Sequence, residues 1–166
     1  MAISTATHLN FAGNARDALD FKWGDDVAAL FMVADRDTWL PLYGTIELFT
    51  RAPGPRQMIV LRKADHNHFV DDIEFGHQWL MEYTASLADV EAEGGTNWKA
   101  LADGMAPYSE LTPQNLAQLC WRGLCAAHMD ANLRGNHSAR ALLAGDIIGE
   151  LNRLGIDAVQ VSAARR

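Results

Sequence analysis

The sequence predicts an α/β fold, and three observations carry that expectation. Val27–Ala34 is a short, continuous apolar run bounded by polar residues, the pattern of a strand covered on both faces of a parallel sheet. Arg56–Arg62, centred on Met58-Ile59-Val60-Leu61, reads as a second strand. Between the two, Leu42, Ile46, Leu48 and Phe49 follow a helical pattern that Pro41 opens and Pro53-Gly54-Pro55 stops. Strand, helix and strand in that order imply a parallel pair joined by a right-handed crossover.

The remaining elements follow from the same reasoning. Asn14 is placed to cap a short helix over Ala15–Phe21, which Gly24 and two aspartates end. After the second strand, Phe69, Ile73, Trp79, Leu80 and Tyr83 recur on roughly helical spacing, predicting a helix within Val70–Leu87 that packs across the sheet. Glu91–Thr96 is a polar, glycine-containing linker, so residues 1–88 form the α/β part and residues 89–166 a helical extension packing on it. Thr112-Pro113-Gln114 opens a helix with Leu116, Leu119, Cys120, Leu124, Ala127 and Leu133 as its apolar stripe, ending at Gly135. One further helix is predicted from Ser138 to Leu154 with Gly155 as its cap, and then Ile156–Val161 as a short strand or a docked tail.

Composition bounds the function. At 166 residues the chain is long enough for one domain with a real core. Fourteen Lys and Arg against 21 Asp and Glu give a net charge of −7, which repels nucleic-acid backbones and anionic lipid surfaces. No apolar run approaches the roughly 20 residues that span a bilayer. The amino terminus lacks the basic-then-apolar pattern of a secretory signal, so a cytoplasmic setting is expected, with no nucleic-acid or membrane partner. Cys120 and Cys125, five apart on a helix, diverge by about 140°. That angle argues against a disulfide between them, and both read as small apolar side chains rather than zinc ligands.

Two short motifs carry the candidate chemistry. Ala34-Asp35-Arg36-Asp37-Thr38-Trp39-Leu40-Pro41 and Ala64-Asp65-His66-Asn67-His68-Phe69 each sit at the end of an apolar run. Open α/β sheets place their sites where loops converge at the carboxyl ends of parallel strands. A histidine acting as general base needs a carboxylate on its second ring nitrogen to fix the tautomer and stabilise the imidazolium, and Asp37 can supply it to His66. Asp35 competes with Asp37, and His68 with His66. Either motif alone reads equally well as a solvated acidic loop. None of Ser4, Ser86, Ser109, Ser138 and Ser162 stands in a Gly-x-Ser-x-Gly setting.

Residues from about Val27 to Leu87 resemble the carboxyl-terminal part of an α/β-hydrolase, closest to dienelactone hydrolase-like and lipase-like esterases. The likeness rests on Ala34-Asp35-Arg36-Asp37 followed by Pro41, similar to that family's strand-end Gly-x-x-Asp…Pro, and on Ala64-Asp65-His66 after the next strand. More weakly, Ala126–Gly135 and Ala139–Leu143 resemble helical extensions of such esterases. The resemblance implies a partial α/β-hydrolase fold and an ester or related acyl substrate. It implies catalytic roles for His66 as base and Asp37 as acid, with His68 and Asp35 as alternates, and no metal or cofactor. The family's chain order is nucleophile, acid, histidine. Only 36 residues precede Asp37 here, and Ala34 stands where the family has glycine. The expectation is therefore a truncated or inactive form whose Val27–Ala34 strand presents an exposed sheet edge open to self-association.

Two other readings compete. His66-Asn67-His68, with Asp65, Asp71 and Asp72 nearby, could hold a divalent metal if the segment is extended, since alternate side chains then share one side. His77, on the predicted helix, reads as an ordinary exposed or interfacial histidine. Alternatively the chain is a non-catalytic helical interaction module, with Trp39, Trp79, Trp98 and Trp121 as anchors. Tryptophans at helical spacing, and Met81, Met105 and Met129, are more simply core. His8, His128 and His137 read as structural or solvent-facing.

Overall fold

The computed structural model describes residues 2–3, 21–22, 24–40, 42–90 and 97–161. The helix expected at 15–21 and the linker at 91–96 fall essentially outside them, as does Pro41. The strands are β1 (Ala2–Ile3), β2 (Ala29–Ala34), β3 (Arg56–Leu61) and β4 (Ala158–Val161), in the spatial order β1-β2-β3-β4. β1, β2 and β3 run parallel, and β4 pairs antiparallel with β3. The helices are α1 (Leu42–Arg51), α2 (Ile73–Ser86), α3 (Trp98–Gly104), α4 (Gln114–Leu133), α5 (His137–Ala144) and α6 (Ile147–Arg153).

The mixed α/β class predicted by the apolar runs is what the chain adopts, and the register shows why those runs are continuous. Phe31 pairs with Met58 and Val33 with Val60 on one face of the sheet, while Met32 pairs with Ile59 and Ala34 with Leu61 on the other. The first set packs with Leu48 and Phe49 of α1. The second packs with Ile73 of α2, Cys120, Trp121 and Leu124 of α4, Leu143 of α5, and Ile147 and Leu151 of α6. Both faces are covered, so both must be apolar. The second cluster joins residues from both halves of the sequence, and β4 adds a strand from the carboxyl-terminal half to the same sheet.

Gly54, in the turn between α1 and β3, has φ +70°, and a Cβ there would sit 2.6 Å from the Asp25 carbonyl oxygen. Only glycine meets both demands. Gly155, at φ +79°, ends α6 and turns the chain into β4.

Several expectations need correction. The helix expected from Ser138 to Leu154 is two helices, because Gly145 is extended and the Asp146 carboxylate caps a fresh start by accepting the Gly149 N–H. On α4, Leu119 and Leu133 are exposed, and the buried stripe runs through Ala117, Cys120, Trp121, Leu124, Ala127, His128 and Ala131. Met129 is likewise half exposed rather than core. The edge of β2 is not wholly unpaired, since β1 covers it at Phe31 and Met32.

Cys120 is fully buried and its thiol is pushed up to about 12, chiefly by desolvation; burial also raises Cys125, which is only partly covered. Because the thiolate is the reactive form, alkylation of the native protein should modify Cys125 first, and Cys120 only on unfolding. Mass mapping after a timed iodoacetamide pulse checks this; equal labelling of both in the native state would contradict it.

Candidate functional site

The two strand-end motifs meet. The loop after β2 is stitched to the loop after β3 by Asp35 N–H donating to the Leu61 carbonyl (3.1 Å) and Arg36 N–H donating to the Ala64 carbonyl (2.8 Å). Parallel neighbours ending in register deliver both loops to one place, and this brings Asp37 and His66 together.

Asp37 is held from two sides. Its Oδ1 accepts the backbone N–H groups of Trp39 (2.9 Å) and Leu40 (2.7 Å), just before α1 begins. Its Oδ2 lies 3.1 Å from His66 Nδ1. The carboxylate side chain is completely buried, so these donors replace the water it has lost. A carboxylate facing Nδ1 fixes the proton there and leaves Nε2 as the basic nitrogen. His66 itself is partly open to solvent, with its side chain 36% exposed. The hydrogen bond to Asp37 raises its pKa above the usual histidine value; burial opposes this, and the charges of Asp37 and Asp65 add to the rise.

An aromatic wall stands beside this pair. Trp39 lies 6.2 Å from the His66 ring, 5.6 Å from Trp98 of α3 and 6.5 Å from Tyr83 of α2, centroid to centroid. Tyr83 in turn stacks at 5.2 Å on Trp79, which is more than half exposed. Trp121, by contrast, is buried against Phe69 and donates its indole N–H to the His68 carbonyl.

The alternates go elsewhere. Asp35 accepts the Ala64 N–H and pairs with Arg62 (3.3 Å), so it braces the two loops. His68 is fully buried, with Nδ1 2.8 Å from Asp65 Oδ1 and Nε2 3.0 Å from the Thr112 carbonyl oxygen. Both its ring nitrogens are thereby occupied. His66–Phe69 forms a 3₁₀ turn rather than extended chain, because Asp65 caps it by accepting the Asn67 N–H, with His68 Nδ1 lying against both the carboxylate and the backbone nitrogen of Asp65. In that turn the imidazoles of His66 and His68 serve different carboxylates, so the premise of the two-histidine metal reading, one shared side, is not met. Among the described residues no cluster of three or more His, Cys, Asp or Glu is placed to hold a metal.

His77 is the residue that sequence reasoning missed. It is buried, not exposed, and its Nδ1 donates to Asp65 Oδ2, while Nε2 finds no hydrogen-bond partner among the described residues. Asp65 thus stands between two imidazoles. Burial pushes its pKa up, but the hydrogen bond and charge of His68, the charge of His77 and the Asn67 amide outweigh burial and hold it below the usual carboxylate value. The signal was present: Ile73, His77, Leu80 and Thr84 fall at helical spacing on the buried face of α2.

His128 is also buried, on α4, which lowers its pKa; that fits the structural reading. Ser86 donates its hydroxyl to the Tyr83 carbonyl at the end of α2. No helix among the described residues is long and apolar enough to cross a membrane. Comparison of the chain with protein-family models, with curated proteins and with solved structures finds no match.

Proposed function

We propose that this chain carries the acid and the base of an α/β-hydrolase-type site acting on an ester or related acyl substrate. The Asp37–His66 hydrogen bond, formed between loops at the carboxyl ends of adjacent parallel strands, is the observation that supports it most. His66 Nε2 takes the proton of a serine or cysteine nucleophile as that atom attacks the acyl carbon. The imidazolium formed is stabilised by Asp37 and returns the proton to the departing alcohol oxygen; water then repeats the cycle and frees the acid. The nucleophile and its oxyanion donors come from outside the 166 residues, since no serine here stands in an elbow motif. The cytoplasm is the proposed setting, and a small ester or acyl compound, rather than a nucleic acid or an anionic membrane, is the proposed partner of a chain this acidic.

The test is hydrolysis of a small activated ester by the purified chain, beside His66→Ala and with a chelator present. The reading expects no turnover above background from the chain alone. Turnover lost in His66→Ala would place the nucleophile within the chain and overturn the missing-nucleophile part. Turnover lost with chelator would favour a metal-dependent hydrolase instead.

A further inference from the structure

We propose that His77 of α2 is a positioning residue for His66, acting through the buried carboxylate of Asp65. The chain of contact is short. His77 Nδ1 donates to Asp65 Oδ2; Asp65 Oδ1 accepts the Asn67 N–H at 3.0 Å and faces His68 Nδ1; and these contacts cap and pin the 3₁₀ turn whose first residue is His66. His66 Nδ1 meets Asp37 only while that turn holds its pose. The inference deepens the proposed acid–base site and rests on the Asp37–His66 pairing as the working couple.

The physical reason for a histidine at this position is the cost of burying charge. A carboxylate with one oxygen left unpaired in a dry interior either takes up a proton or moves toward another donor. Asp65 is about nine-tenths buried, and α2 passes over it with one donor aimed at Oδ2. Removing that donor frees Asp65 to rotate, and the hold of Oδ1 on the turn weakens with it. His77 also fixes α2 against the turn, and the same helix carries Tyr83 to the aromatic wall beside His66. Its own Nε2 is unbonded among the described residues, so the ring's polar contact is spent on Asp65 alone.

The carboxylates acting on His66 are Asp37, from the loop after β2, and Asp65, from its own turn. From α2 and α3, Tyr83 and Trp98 reach it through Trp39. Titration of the His66 ring by NMR therefore reports the Asp37 contact without requiring any hydrolysis. Three substitutions separate positioning from general structural support: His77→Leu removes the donor; His77→Asn keeps an amide nitrogen where Nδ1 stands; His77→Gln carries the same amide one bond too far. His66 should titrate as in the wild type in His77→Asn, and shift down toward an ordinary histidine in His77→Leu and His77→Gln. Should His77→Leu fail to fold, the Asn and Gln variants still decide the matter. An unchanged His66 titration in folded His77→Leu or His77→Gln overturns the proposal, as does His77→Asn behaving like His77→Gln. If wild-type His66 titrates as an ordinary histidine, or ignores Asp37→Asn, the acid–base pairing itself fails instead.

Discussion

Asp65→Asn should lower the free energy of unfolding by roughly 1–3 kcal/mol, the usual cost of leaving a buried hydrogen-bonding group without its partner. The carboxylate is flanked by His68 and His77, both fully enclosed, and it accepts the Asn67 amide as well. An amide in its place accepts on one side only, so at least one imidazole loses its acceptor. Against a total stability of about 5–15 kcal/mol for a domain, that is a large fraction. Chemical denaturation of the two proteins at neutral pH measures it, and a difference within about 0.5 kcal/mol, the size of an ordinary surface substitution, would contradict the account. The pH dependence has a fixed sign: because the folded state holds Asp65 below its usual value, its contribution is present above the ordinary carboxylate range and is lost as pH falls through the folded pKa.

The second large effect concerns rate. In a polypeptide that supplies a nucleophile to the proposed site, Asp37→Asn should lower kcat by about 10⁴-fold, because an amide no longer fixes the proton on Nδ1. The substituted side chain can still accept the Trp39 and Leu40 amides, so the loop should keep its shape. Activity within tenfold of the parent would remove Asp37 from the proposed role. A stability signature accompanies this. Since His66 is raised in the folded state, its pairing stabilises the fold fully below the ordinary histidine range, and that contribution fades as pH rises through the folded pKa. The stability gap between parent and Asp37→Asn should therefore be wider at mildly acidic than at alkaline pH.

Local pattern explains what was legible in the sequence. The stretches 30–34 and 58–61 are apolar at every position and buried on both faces of the sheet, so two covered strands could be read directly, and the strand-end motifs then had to lie side by side. That geometry is why Asp37 and His66 could be paired from sequence, with the spacing to Pro41 favouring Asp37 over Asp35 and the Asp65-His66 pair favouring His66 over His68. What the alternates do instead, Asp35 pairing with Arg62 and His68 lying against the Asp65 that curls the second motif into a turn, is a three-dimensional fact that no local pattern carries. His77 escaped as a site residue because a polar residue on an apolar helical face reads as an ordinary exposed or interfacial one until its partner, twelve residues upstream, is known to be buried beneath it. The break at Gly145-Asp146 was written in the sequence as a breaker followed by a cap, but the apolar spacing of Leu143, Ile147 and Leu151 spans it. On α4, the large side chains Leu119 and Leu133 masked a buried stripe built largely from alanine, cysteine and tryptophan.

The most direct test of the acid–base claim is the NMR titration of the His66 ring in the native chain and in Asp37→Asn. The account predicts that His66 titrates above the ordinary histidine range in the native protein, and that Asp37→Asn brings it down. An ordinary His66 titration that does not respond to Asp37→Asn would show that the two residues are neighbours without being a working pair.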